Sequence, residues 1–298
     1  MFNLFKKKKK KWIRFYSIQP GVEALQPWIP AGKLKRKWKT DALKKYYSKD
    51  SSCPVMKVKR LWDNKQAVLN GFSGEENHED LEGLFQHAVT CPALTTLFET
   101  GFVMVTPADF VIKQRGAGKD FAWVSQAMFN HDNPTYVKGH IAYQTEGMRD
   151  LVNPFAPVND TVVKLELPWR IQAHDDIVFL QIPIPYWDEK RFSVPTGIVD
   201  PRYSYEVNLQ LFWHALDEGE YLVKAGTPLA QWIPIERKYL NNKEYDVIIE
   251  SANEEDLRNN KIMEFNRSMH FTETTTLANR IKTQEKILSL NKNKERFE

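Results

Sequence analysis

Two constellations in this sequence of 298 residues carry side chains that can do chemistry. The first is the turn GIVDPRYSYE, residues 197–206, where Asp200, Arg202, Tyr203 and Tyr205 stand although Gly, Asn or Ser would turn the chain more easily. A carboxylate within reach of a water is a general base, and an aromatic face recognises a flat ring. The second is AHDDIVF, in which His174 and Asp176 form an H-x-D pair at the start of a strand. That pair is two thirds of the two-histidine, one-carboxylate triad that holds non-haem Fe(II), with His214 as the third candidate.

Each constellation has a plain reading beside the chemical one. Asp before Pro is ordinary turn chemistry, so Gly197 and Asp200 could simply shape a turn that Pro201 fixes, with Tyr203 packed in the core. H-x-D recurs by chance, and Lys224, at the spacing where an oxoglutarate-dependent enzyme carries a basic residue, lacks the usual neighbouring motif. The stretch KQRGAGKD has glycines and cations suited to a phosphate, but it lacks the Walker spacing and is expected to be a hairpin loop. His87, His131 and His140 have no metal spacing, and Cys53 and Cys91, each before a proline, are expected to be reduced structural thiols.

The elements that must position these residues are mostly strands. FVMVTPADFVIKQ, FAWVSQ, VVKLELPWRIQ, DIVFLQIPIPYW, EVNLQLFWHAL, EYLVKAG and PLAQWIPI alternate or run apolar between Pro, Gly, Asn and Asp. QAVLNGF and HIAYQ read the same way, and WIRFYSI predicts a further strand near the N-terminus. HAVTCPALTTLFETG reads as a short helix leading into a strand, and GKLKRKWKTDALKKYYSKD as a basic helix or surface loop. The expected class is mainly β, a β-sandwich or closed β fold. Past Ile249, Ser251 before an acidic stretch predicts a helix start, with partial apolar stripes at Leu257, Ile262, Phe265 and Met269 and at Leu277, Ile281 and Ile287. The expected organisation is a basic arm over 1–49, a β-rich domain over 50–250 and a helical tail over 251–298.

Charge is segregated along the chain. Residues 1–49 carry +13, which leaves −9 on the rest of a chain whose net charge is +4. A basic arm on an acidic body invites nucleic acid or an acidic protein surface through residues 6–49. Trp12, Trp28 and Trp38 interleave with those cations, which suits base stacking or, as the favoured expectation, packing of the segment onto the body. No apolar run approaches the roughly 18 residues of a membrane span, and MFNLFKKKKKKW lacks a signal peptide's apolar segment. A cytoplasmic location is expected.

GIVDPRY resembles the third motif of the dUTP nucleotidohydrolases: Gly, two aliphatics, Asp, two variable residues, Tyr. AGTPLAQWIPI resembles their fourth motif, in which a glycine turn leads into an Ala-Gln pair, and the related dCTP deaminases share these features. The resemblance implies a dUTPase-like fold, often trimeric. It implies that Asp200 positions or deprotonates a water, that Tyr203 packs on pyrimidine and deoxyribose, and that Gln231 helps hold the phosphate side. Arg202 is a further ligand-binding candidate. Ser204 and Tyr205 depart from the family pattern, IPYWDEKRFSV stands where an Arg-Ser-Ser phosphate cradle belongs, and no glycine follows Gly226. Without phosphate donors, the charge developing on a triphosphate is not stabilised.

The order CPALTTLFETGFVMVTP, HIAYQTEG, LELPWRIQAHDDIVFLQIPIPY, TGIVDPRYSYEVNLQLFW and GTPLAQWIPIER also resembles a family of uncharacterised bacterial and phage proteins, which carries no established reaction. Three functions follow as expectations. The first is a non-catalytic binding or structural protein, phage-related and located in the host cytoplasm or virion, without a cofactor. The second is a nucleotide-processing enzyme using Asp200 and Tyr203, with Mg as the corresponding cofactor. The third is an Fe(II) oxygenase using His174, Asp176 and His214.

Overall fold

The computed structural model describes residues 10–47, 91–115, 121–125, 137–139, 147–148, 150–151 and 162–269. The QAVLNGF and HIAYQ strands, most of KQRGAGKD, Lys6 to Lys9, Cys53, His87, His131, His140 and the tail beyond residue 269 lie outside the described residues. Cys91 is a free thiol. The chain divides into two compact units. Unit 1 comprises residues 1–34 and 98–244, and unit 2 comprises 35–97 and 245–298.

Unit 1 is mainly β, with three antiparallel sheets, none of which closes into a barrel among the described residues. The first sheet has the order β1 (Ile13–Ser17), β7 (Val163–Ala173), β11 (Glu206–Trp213), β9 (Phe192–Ser193), with β6 (Val137–Gly139) also on β7. β7 pairs with β6 along its first half and with β1 along its second, from Ser17↔Trp169 to Ile13↔Ala173. Strict alternation buries Val163, Leu165, Leu167, Trp169 and Ile171 on one face, and β11 answers with Val207, Leu209, Leu211 and Trp213. The register between the two jumps from Glu206↔Arg170 to Asn208↔Glu166, opposite Pro168. Pro168 has no N–H to give to a ladder, so an irregularity is where a central strand can hold it.

The second sheet runs β10 (Gly197–Val199), β8 (Ile177–Pro183), β13 (Pro228–Glu236), β3 (Phe102–Val105), β2 (Ile29–Pro30). Consecutive residues are buried at 103–105 of β3, 177–179 of β8 and 229–232 of β13, so both faces are covered there and these strands read as apolar runs without alternation, while the edge strand β10 is exposed. Met104, Phe179 and Trp232 enter the main core, while Val103, Val105 and Ile184 pack with Ala31 in a second cluster. The third sheet is β12 (Gly219–Val223), β4 (Phe110–Gln114), β5 (Phe121–Ser125), and its Phe110, Ile112 and Val223 complete the main core. KQRGAGKD therefore joins the two antiparallel strands β4 and β5, as a hairpin connection does. Trp28, which follows α1 (Val22–Leu25), stacks on Phe15 at 4.1 Å and meets Trp169 and Trp232 edge-on, so this partly buried tryptophan packs against the main core.

The described helices of unit 2 are α2 (Lys37–Tyr47), from the basic segment, most of α3 (Pro92–Glu99), which crosses the boundary at residue 97, and α4 (Glu254–Met269). α4 starts two residues later than Ser251 suggests. Asn253 and Asp256 cap reciprocally, each backbone N–H donating to the other's side chain at 3.0 and 2.9 Å; this is capping-box geometry made by Asn and Asp, where the usual Ser-x-x-Glu pattern would have chosen Ser251 and Glu254. α3 (Pro92–Glu99) leads into β3 through Gly101, as expected. Gly101 has φ +79, and a Cβ there would lie 2.2 Å from the carbonyl oxygen of Trp232, so only glycine fits.

Candidate functional site

The turn after β10 carries the sheet-two chain over to β11 in sheet one, and its geometry is set by Asp200. The Asp200 carbonyl accepts from the N–H groups of Tyr203 (3.0 Å) and Ser204 (2.9 Å), while its carboxylate accepts from the N–H of Arg202 (3.1 Å). This is the local side-chain turn that Asp before Pro favours. The same carboxylate accepts from Arg202 Nε at 3.3 Å and Nη2 at 3.1 Å, and from both terminal nitrogens of Arg237, Nη2 at 2.9 Å. Its oxygens thus accept five hydrogen bonds, against about four lone-pair positions on a carboxylate. Arg237 above all, then Arg202, holds the Asp200 carboxyl far below the usual carboxylate range. An efficient general base has a pKa near the working pH and a lone pair facing water. Asp200 has neither, so the arrangement is a clamp.

Arg237 ties three segments at once. Besides Asp200, its backbone N–H donates to the Asp176 carbonyl at 2.7 Å and its Nε to the Asp175 carbonyl at 3.2 Å. The hairpin between β7 and β8, the end of β13 and the turn after β10 therefore meet at one end of unit 1. Lys11 joins them, its Nζ 2.6 Å from Asp176 and 3.2 Å from Glu236, and Lys238 lies 3.2 Å from the other oxygen of Glu236. His174 Nδ1 contacts Asp176 Oδ1, and the His174 N–H donates to the Trp12 carbonyl at 3.0 Å. Lys11, with a smaller contribution from His174, holds Asp176 down to about 2. The last lysine of the run at residues 6–11 is thus bound to the β body.

The remaining sequence candidates are dispersed. Tyr203 is 82% exposed, so it is neither in the core nor against a pocket wall, and its ring sits 5.5 Å from the Arg202 guanidinium carbon. Gly197 has ordinary backbone angles and open space where a Cβ would go, so the turn does not require it. Gln231 is fully buried within β13 and donates to the Thr100 carbonyl at 2.7 Å. It pairs with Ile182, whereas Val199, beside Asp200, pairs with Phe179; the two sites lie about 13 Å apart along the strands and two strands apart across them. Gln231 therefore supports the sheet and does not reach the turn.

The iron triad does not assemble. His174 follows the last residue of β7, whereas His214 lies beyond Leu211, which pairs with Val163 at that strand's other end. Eleven residues of strand put the two histidines on the order of 30 Å apart. His214 Nε2 instead meets Ser193 Oγ at 2.7 Å. Among the described residues, no three His, Cys, Asp or Glu side chains converge as a metal site.

Sequence reasoning missed Arg237, Lys11 and Glu236, the residues that build the clamp around Asp200 and Asp176. The signal for the first was available: the ERK triplet that ends PLAQWIPIERK places cations where an apolar strand stops. Among the described residues no helix is long and apolar enough to cross a membrane. No protein-family model matches the chain, and no curated protein does. Among solved structures, native EIAV dUTPase is distantly similar, with 12% sequence identity over 52% of this chain and 84% of its own, and a TM-score of 0.25.

Proposed function

We propose that the protein is a non-catalytic binding or structural protein whose basic N-terminal segment engages a polyanionic partner. The observation that carries this reading is the state of Asp200: a carboxylate saturated by Arg237 and Arg202 is built to hold a turn and resists taking a proton. The partner's sign follows from the +13 on residues 1–49. A dUTPase-like class for the β body, a phage-related origin and self-association belong to the same reading, on the strength of GIVDPRY and its spacing to AGTPLAQWIPI.

The test is binding of the full chain to a labelled nucleic acid as salt is varied. Affinity should fall linearly on a log–log plot, with a slope of roughly −0.7 to −0.9 per phosphate neutralised. Replacing Lys6 to Lys10 by Gln should flatten that slope by about 3.5 to 4.5. Binding that ignores salt, or survives the five substitutions, would overturn the reading.

A further inference from the structure

Ser17 and Ser125 donate their hydroxyls to backbone carbonyls, of Gln19 at 2.7 Å and of Asp109 at 3.2 Å. An amide carbonyl does not take the proton, so such a serine is not activated. Ser193 is placed differently. Its Oγ lies 2.7 Å from His214 Nε2, the distance at which an imidazole serves a hydroxyl as general base. With the hydroxyl donating, Nε2 supplies the lone pair and Nδ1 carries the proton, the neutral tautomer that this role requires.

The strands hold the pair on one face. Phe192 and Val194, on either side of Ser193, and Leu211 and Trp213 of β11 all belong to the main core. Side chains alternate along a strand, so Ser193, Phe212 and His214 point to the other face of sheet one. Ser193 pairs with Phe212, and His214, two residues further on, takes the diagonal position that long side chains reach. The His214 N–H donates to the Arg191 carbonyl at 2.7 Å, which extends the β9–β11 ladder by one step. Arg191 is itself fixed, donating to both oxygens of Glu189 and to the Leu222 carbonyl. The pair is thus pre-set by backbone pairing.

The surroundings are apolar and partly closed. Phe212 is 5% exposed although it belongs to neither core cluster described above. Val162, at 1%, is likewise outside both clusters and precedes Val163, the partner of Leu211. Ser193 and His214 are each half-buried. A hydroxyl and its base at the margin of an apolar patch suit an uncharged electrophile and disfavour an anion, which would lose its hydration there.

We propose that Ser193 is an acyl-acceptor site, with His214 as its general base and an activated carboxylic ester as the donor. Ser193 Oγ forms a bond to the acyl carbon and the bond from that carbon to the leaving oxygen breaks. The serine proton passes to His214 Nε2 and from there to the leaving oxygen. Nothing is oxidised or reduced, one acyl group stays on the chain, and no turnover is required. The site stands at the opposite end of β7 from the Asp200 clamp and is independent of the polyanion-binding reading.

The experiment treats the full chain with an alkyl fluorophosphonate, whose phosphorus takes the place of the acyl carbon and whose fluoride leaves, and locates the adduct by peptide mass spectrometry. The expected adduct is on Ser193, and p-nitrophenyl butyrate should acylate the same residue. His214→Gln keeps a hydrogen-bonding side chain without a base and should slow labelling by about 10²–10⁴-fold, while Ser193→Ala should remove the adduct. Thermal melting shows whether each variant is folded. Unfolding the parent in urea should abolish the preference for Ser193, a comparison that needs no variant. Labelling of Ser193 no faster in the folded parent than in the unfolded one, or unchanged in folded His214→Gln, would overturn the proposal.

Discussion

Replacing Asp200 by Asn keeps the shape of the side chain and removes its charge, and so isolates what the clamp contributes. The Arg237 pair is the dominant part, because Asp200 is only 16% exposed and Arg237 29%. Asn keeps an acceptor oxygen for one of the two Arg237 hydrogen bonds, so the loss of the other, about 1.5–3 kcal/mol for a bond to a charged group, dominates, whereas the more exposed Arg202 pair adds under ~1 kcal/mol. A loss of about 2–3 kcal/mol results, and at roughly 2–4 °C per kcal/mol for a body of this size Tm should fall by about 4–12 °C at neutral pH. The pH dependence has a definite sign. The folded Asp200 carboxyl sits below its unfolded value near 3.9, so its stabilisation is complete above that value and is lost as the pH falls toward the folded pKa. Melting curves of parent and Asp200→Asn should therefore differ fully above about pH 5 and draw together progressively as the pH falls below about 4. A cycle with Arg237→Gln should return a coupling of about 1–3 kcal/mol. A Tm change under ~1 °C at neutral pH, or a difference that persists unchanged into acid, would refute the clamp.

Gly101→Ala should cost about 2–4 kcal/mol or prevent folding, since the new Cβ meets the Trp232 carbonyl in a backbone conformation closed to alanine; urea unfolding reads the loss. Trp232→Ala should cost about 3–5 kcal/mol by emptying the junction of Trp28, Phe179 and the Gln181 acceptor at 3.1 Å, with a loss of near-ultraviolet dichroism as an independent check. Fe(II) with 2-oxoglutarate should leave Tm unchanged, because the histidines of the expected triad stand at opposite ends of β7; stoichiometric iron that is lost on His174→Ala would contradict that separation.

The strands that sequence exposed are the long ones. β7 and β11 alternate because one face is buried, and β8 and β13 run apolar because both faces are covered. β2, β9 and β10 are two or three residues long and leave no periodic trace, so those edges were illegible, whereas the longer edge strands β1, β5 and β12 were read. At the site, Asp200 was conspicuous but its role was not, because Arg237 lies 37 residues further on and no local spacing rule links them. The plain reading of the turn put Tyr203 in the core and the motif reading put it against a pyrimidine; its ring is exposed, because the turn satisfies its backbone through Asp200 and has no need of a buried ring. Gln231 occupies the position the motif assigns, yet the sheet register carries it away from the turn.

The ion pair between Lys11 and Asp176 joins residues 165 positions apart, and β1 pairs across a similar span of chain. At synthesis rates of roughly 5–20 residues per second, about 8–33 s pass between the emergence of the lysine run and that of its carboxylate anchor. Through that interval Lys11 is tethered to a growing chain and not yet paired with Asp176. The N-terminal strand therefore waits for most of unit 1 to be made, and closure of β1 onto β7 is the step that gives the basic segment its fixed point on the body.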